Sequence, residues 1–308
     1  MSTQEKKPDF AALNRVQLLA CFFLWLSASA CDLINPEEEI PSYIWVAPFE
    51  VQTAVGTQGS ASAKITEVWV SVDDAFFGVY PLPAKIPILK TGNSKIKLEA
   101  GIKDNGISTA PEIYPFFQAL EYNITLKANE VDSIRPKATY RSGIRFALLE
   151  NFENNSHVFQ TLVTGNESNR MSIANDGAFE GSGSGLIQLS TQYPAVELAT
   201  RNTYTGLLAK GTAVYLELNY KAEVPLVVGV IAYKAGNLNA GGQILYAAGF
   251  NASENWNKIY FNLSQVVADS RLDEYQIILK TEIPKNADGT INRSNAKIWL
   301  DNVKLVHF

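Results

Sequence analysis

The sequence predicts an all-β protein, two tandem β-sandwiches behind a cleaved signal peptide. Three observations carry this. Short segments of alternating apolar and polar residues recur along the chain, as half-buried strands require. Turn-forming residues separate them at intervals of about 8–12 residues, the rhythm of a sandwich. Beyond the N-terminal apolar run, no long amphipathic helical pattern appears.

The N-terminus reads as a secretory signal over residues 1–30. Met1–Arg15 is polar and carries Lys6, Lys7 and Arg15; Val16–Leu26 (VQLLACFFLWL) is apolar; Ser27–Ala30 is small. Such a charged start, short apolar core and small-residue cleavage site define a signal peptide. The apolar run falls short of the roughly 20 residues that span a bilayer. Cys31 follows the small residues directly, and this junction resembles the lipobox of bacterial lipoproteins. The resemblance implies cleavage before Cys31, acylation of its thiol and attachment to the membrane through the acyl chains. Leu18–Cys21 spells a similar pattern, but cleavage there would leave almost no apolar segment ahead of it. An ordinary free thiol at Cys31 is the plain alternative. Cleavage at Cys31 leaves that cysteine as the only one, so the mature fold has no disulfide and rests on core burial.

Residues 31–42 form the lipidated cysteine and an acidic tether. Pro36 and Pro41 discourage regular structure, and Glu37–Glu39 keep it solvated. Acidic residues just after the lipidated cysteine resemble surface-export signals of Bacteroidota lipoproteins, which implies the outer membrane. Asp32, directly after the cysteine, points to inner-membrane retention in other bacteria, and the two addresses stay open.

Residues 43–140 read as a small β-sandwich. In Lys64–Val72 (KITEVWVSV), Ile65, Val68, Val70 and Val72 are core candidates. Pro81, Pro83 and Pro87 break the chain, and Lys95–Ala100 and Tyr122–Lys127 are further strands. The stretches 72–90 and 101–116 resemble the small immunoglobulin- or transthyretin-like domains of Bacteroidota lipoproteins, a likeness of fold that implies no activity. Asp132-Ser133-Ile134 fits a short O-glycosylation pattern of that phylum and marks Ser133.

Residues 141–308 read as a longer sandwich, expected to fold alone from about residue 143. Phe146–Phe152 opens it, a Gly/Ser-rich loop spans 177–185, and Ala213–Tyr220, Pro225–Tyr233, Lys258–Leu263, Tyr275–Thr281 and Lys297–Val306 are strands. Pro225–Tyr233 is apolar nearly throughout and so belongs inside a sheet. The loop ending at Trp256 and the closing Trp299-Leu300-Asp301-Asn302-Val303 resemble jelly-roll, galactose-binding-like modules of carbohydrate-binding proteins. That resemblance implies aromatic platforms, for which Tyr193, Tyr204, Tyr246 and Trp256, all near turns, are candidates; core packing is the alternative for each. It also implies a structural calcium ion held by carboxylates near the first and last strands, here Glu150, Glu153 and Asp301 with Asn302. The alternative for Asp301 is a turn cap or a pair with Lys304.

Composition narrows function by exclusion. The chain is 46% hydrophobic and 19% charged with a net charge of −5. That acidic balance, with no basic cluster in the mature chain, argues against nucleic acid. With two histidines, His157 and His307, and no cysteine pair, zinc and triad chemistry lack their residues. No phosphate-loop, dinucleotide, metalloprotease or nucleophile-elbow pattern occurs, and Gly181–Gly185 lacks the lysine a phosphate loop needs. The reading is a non-enzymatic, lipid-anchored outer-membrane lipoprotein, an accessory subunit of an envelope complex with an outer-membrane protein partner. The alternative is a surface glycan-binding lipoprotein of a polysaccharide-uptake system.

Overall fold

The computed structural model describes residues 38–54, 56–162, 170–207, 213–238 and 241–308. Cys31 and the signal segment lie outside the described residues. Among the described residues no helix is long and apolar enough to cross a membrane.

The first half runs β1 (Ser42–Val46), β2 (Glu50–Gln52), β3 (Glu67–Val72), β4 (Ala75–Pro81), β5 (Ala84–Ile88), β6 (Gly92–Lys103), β7 (Pro111–Ile113), β8 (Leu120–Leu126), β9 (Val131–Ile134) and β10 (Lys137–Thr139). One sheet orders β4-β3-β6, with β7 and β8 both on β6; another orders β5-β1-β9; β10 pairs with β2. The inward residues of the two larger sheets meet in one core, Ile44, Val46, Val68, Val70, Ile86, Ile96, Leu98 and Leu126 among them. This is the alternation expected of a sandwich. Pro87, read as a break, lies inside β5 opposite Tyr43. β5 is an edge strand, where a missing N–H costs no ladder bond.

The second half runs β11 (Arg145–Glu150), β12 (Phe159–Thr161), β13 (Ser172–Ala174), β14 (Ser184–Ser190), β15 (Ala195–Thr200), β16 (Tyr204–Thr205), β17 (Val214–Ala222), β18 (Leu226–Tyr233), β19 (Gln243–Phe250), β20 (Ser253–Asn262), the short helix α1 (Ser264–Ser270), β21 (Glu274–Glu282) and β22 (Asn295–His307). β13-β14-β22-β17-β20, with β11 on β22, faces β12-β15-β21-β18-β19, with β16 on β21. Between them lies the main core, including Phe159, Ile187, Leu216, Leu218, Val228, Val230, Phe261, Ile277, Ile298 and Leu300. The apolar run of β18 lies between β21 and β19, as expected.

The two halves share a third core. Tyr114, Phe116, Phe117 and Tyr140 of the first pack with Tyr215, Tyr260 and Val306 of the second. Tyr114 meets Tyr215 edge-on at 5.6 Å and Tyr260 at 5.1 Å between ring centroids. At its centre sits Glu217, 1% exposed. It accepts hydrogen bonds from the hydroxyls of Tyr114 and Tyr140 and pairs with Lys258 at 3.1 Å. Burial alone would raise the Glu217 carboxyl; Lys258 and Lys304, with the Tyr114 hydroxyl, outweigh it and hold it below its ordinary value. Polar contacts continue the seam: Asn219 Nδ2 donates to Ser62 Oγ at 3.1 Å, Asn262 N to Asn105 Oδ1 at 2.9 Å, and Lys304 reaches the Ser60 carbonyl.

Candidate functional site

With the β22 sheet turned toward the first half, the opposite sheet presents its outer face. In β18 the inward residues are Leu226, Val228 and Val230. The alternate positions Val227, Gly229, Ile231 and Tyr233 therefore face outward. Register extends the face: Gly229 lies beside Tyr246 and Ile278, Val227 beside Lys280, and Glu197 beside Lys280. Ala199, Ile231 and Ile278 form a small buried cluster covered by Leu162 and Tyr233. Around it Val227, Ile244 and Tyr246 stay exposed, Tyr246 by 39%.

Tyr246 is set by a local irregularity. The β18–β19 ladder shifts register between Val228 and Gly229. A Cβ at Gly229 would lie 2.2 Å from the Leu245 carbonyl oxygen and 2.8 Å from the Tyr246 Cα. Only glycine admits that approach. The Tyr246 hydroxyl donates to Glu197 Oε1 at 2.9 Å. β19 and β15 stand three strand spacings apart, about 14 Å, so the Tyr246 and Glu197 side chains meet by lying along the sheet. Lys280 joins them, its ammonium 3.0 Å from Glu197 and 5.5 Å from the Tyr246 ring centroid. The hydrogen bond from Lys280 to Glu197 raises the lysine above its ordinary value, and burial, then the Glu197 contact, raises the Tyr246 phenol. Beside them Tyr233 donates to Gln276 Oε1 at 2.6 Å, and Gln276 Nε2 donates to the Thr200 carbonyl at 2.5 Å. The result is a tyrosine ring tied at its hydroxyl to a carboxylate and flanked by an ammonium, with the Tyr233–Gln276 pair farther along the same face.

The aromatic candidates from the sequence do not converge. Tyr193 is half-buried in the turn after β14, with its amide bonded to the Ser190 carbonyl at 3.1 Å. Tyr204 packs against the main core, and burial raises its phenol. Trp256 donates to the Gly177 carbonyl at 3.0 Å and meets Phe179 edge-on at 5.8 Å. Only Tyr246 of the four lies on the face described. A search confined to aromatics near turns passes over Tyr233, Glu197, Gln276 and Lys280, which occupy outward positions within strands. The alternation of Tyr275–Thr281 (YQIILKT) marks Gln276 and Lys280 as opposite to the core-facing Ile277 and Leu279.

The carboxylates named for calcium each accept hydrogen bonds in loops. Glu150 accepts from the amides of Phe152 at 2.8 Å and Val158 at 2.9 Å, and Glu153 from those of Ser182 at 2.8 Å and Gly183 at 2.9 Å. Asp301 accepts from Phe179 and Glu180, both at 3.1 Å, and from Asn302 at 2.7 Å. Among the described residues no group of three or more His, Cys, Asp or Glu is placed to hold a metal. Burial pushes the Asp301 carboxyl up to about 6, against the pull of those amides. Lys304 bonds to Ser60 rather than pairing with Asp301. Ser133 is exposed on β9, opposite Trp45 of β1.

No protein-family model matches the chain, and no curated protein matches it. Among solved structures, a carbohydrate-binding module of the β-sandwich superfamily with promiscuous specificity is similar at 13% identity, covering 88% of this chain and 99% of its own, with a TM-score of 0.37. The CBM22-2 xylan-binding domain of Paenibacillus barcinonensis Xyn10C is similar at 11% identity over 53% of this chain and 99% of its own, TM-score 0.36. A family 29 carbohydrate-binding module is similar at 14% identity over 53% of this chain and 88% of its own, TM-score 0.31.

Proposed function

We propose that this chain is a non-catalytic glycan-binding lipoprotein, anchored in the outer membrane through acylated Cys31, whose binding face is the outer side of the β12-β15-β21-β18-β19 sheet. The observation that carries the reading is Tyr246, held flat by Glu197 at 2.9 Å beside Lys280 and 39% exposed. A sugar ring offers an apolar C–H face to an aromatic plane and hydroxyls to the groups at its rim. Tyr246, with Glu197 and Lys280, supplies both halves of that recognition. The test is a glycan array followed by affinity electrophoresis on each hit. Tyr246→Ala is expected to weaken binding at least about tenfold, the equivalent of about 1.4 kcal/mol. Retention of every hit at unchanged affinity in that variant removes the sheet-face assignment.

A second reading, the accessory subunit of an envelope complex, draws on a different surface. β4 is an edge strand on which Phe76 is 65% and Phe77 39% exposed, and Phe76 stands 5.7 Å from Trp69. An unpaired edge bearing large apolar side chains suits a protein partner. Affinity purification from membranes, comparing the chain with a Phe76→Ser/Phe77→Ser variant, tests it. A stoichiometric outer-membrane protein lost only from the variant supports this reading, and an identical set of co-purifying proteins opposes it.

A further inference from the structure

We propose that the cleft at the seam between the two halves is a second saccharide site, one that receives the acidic group of a charged sugar. This rests on the glycan-binding reading above and extends it to a separate place on the molecule. The cleft has a volume of about 600 Å³, within the range of small-molecule sites, which favour junctions of this kind. Both halves line it: Lys64, Lys103 and Asn105 from the first, Tyr220, Asn257 and Lys258 from the second.

Its lining is more basic than the chain as a whole. The chain carries 31 Asp and Glu against 26 Lys and Arg. Yet three lysines and, among the described residues, no carboxylate line this cleft. Two of the lysines are neutralised from behind, Lys103 by Glu67 and Lys258 by Glu217. Lys258, its side chain only 3% exposed, has no hydrogen-bond partner beyond that ion pair. Lys64 differs: its ammonium donates to Asn257 Oδ1 at 2.7 Å, and among the described residues no carboxylate pairs with it. Its main chain is fixed by the bond from its amide to the Tyr260 hydroxyl at 2.9 Å. One uncompensated ammonium, that of Lys64, thus sits at the mouth, while the Lys258 ammonium is sealed against Glu217 behind the wall. A concave, partly desolvated wall strengthens the attraction of Lys64 for an anion. The Tyr220 ring, stacked on Phe250 at 3.8 Å, supplies an apolar wall, and the Asn105 and Asn257 amides, each bonded within the protein through its oxygen and one N–H, keep a second N–H for a hydroxyl. A carboxylate and a sulfate ester present the same oxyanion to this arrangement.

Titration calorimetry of the full chain with a galacturonate hexamer, a sulfated galactose hexamer and a neutral galactose hexamer, each at low and high salt, tests the proposal. One charged hexamer is expected to bind at least roughly tenfold more tightly than the neutral one, with the preference shrinking as salt screens it. Lys64→Gln, on an exposed side chain, is expected to abolish that preference, and Tyr246→Ala to leave it. Equal affinity for charged and neutral hexamers, no binding of either charged hexamer, or an undiminished preference in Lys64→Gln overturns the inference. Neutral glycan binding that is lost in Tyr246→Ala, with no charge preference in the parent chain, sinks this site alone and leaves the sheet face standing. A charge preference that persists beside unaltered neutral binding in Tyr246→Ala does the reverse.

Discussion

Replacing Glu217 by Gln tests whether its charge compensates the buried lysines beneath the core that the two halves share. Glu217 lies in the shared core with its carboxylate 3.1 Å from the Lys258 ammonium. At that separation and an effective dielectric constant of about 20, the attraction is about 5 kcal/mol. Gln keeps the volume and an acceptor for the Tyr114 and Tyr140 hydroxyls, so packing changes little. What goes is the charge, leaving Lys258 and Lys304, 6% and 2% exposed, as two buried cations. Breaking one partner of a buried pair typically costs about 3–5 kcal/mol, a large share of the roughly 5–15 kcal/mol that stabilises a domain.

The pH dependence separates this cause from simple misfolding. Burial already pushes the Lys304 ammonium down to about 8 from 10.5. A folded pKa below the unfolded one means the unfolded chain holds more protons between those values. Stability from this group is therefore fully present above pH 10.5 and is lost as pH falls through 8, a difference of about 3 kcal/mol. Without Glu217, which raises it, the Lys304 ammonium titrates lower still, so the Gln variant regains more stability than the parent as pH rises from 7 to about 10. Urea denaturation at the two pH values measures it. A loss below about 1 kcal/mol at pH 7, or a loss that does not shrink at high pH, refutes the argument.

Three further outcomes are expected. Residues 141–308 alone expose Tyr215, Tyr260 and Val306, 4%, 2% and 0% exposed in the full chain. At about 1.5–3 kcal/mol each this leaves the fragment marginal, contrary to the expectation from sequence that it folds alone; thermal unfolding at the temperature of the full chain would disprove it. Gly229→Ala drives a Cβ to 2.2 Å from the Leu245 oxygen, so a loss of about 1–3 kcal/mol by chemical denaturation, with weaker glycan binding, is expected. Cys31→Ala moves the protein out of the membrane fraction, as immunoblotting of fractionated cells would show; an unchanged distribution counts against the lipid anchor.

The strands were legible where one face is core and the other is not. Val68 and Val70 follow the alternation of Lys64–Val72, while Ile65 from the same stretch packs instead against the shared aromatic core. The long apolar run 225–233 identified an interior strand without any knowledge of its neighbours. Pro87 misled because a proline excludes a central strand but not an edge one. Glu217 illustrates the deeper limit. In Ala213–Tyr220 (AVYLELNY) it occupies a position opposite the core-facing Leu216 and Leu218, as the pattern says. Periodicity distinguishes the two faces of a strand; it does not say whether the second face meets water or another sheet. Tyr114, Phe116 and Phe117 (YPFF) were invisible as a core for the same reason, since their second-half partners Tyr215, Tyr260 and Val306 lie about a hundred residues or more away. The flat Tyr246 was half-visible, the aromatic in the sequence and its partner Glu197 only in the register.

That seam also determines which face remains for a ligand. The sheet containing β11 and β22 gives its outer side to the first half, so the sheet bearing Tyr246 is the one turned away from it. The chain enters the first half at Ser42, whose hydroxyl contacts the carbonyls of Ile88 at 3.0 Å and Lys90 at 2.9 Å. From Cys31 to Ser42 an extended chain reaches at most about 40 Å. The Tyr246 face lies on the side of the second half away from the first. A hinge at the seam would let the two halves move apart. The aromatic rings around Glu217 and the bonds it accepts from the Tyr114 and Tyr140 hydroxyls oppose such a hinge, because opening it would expose the rings and break both bonds across the seam.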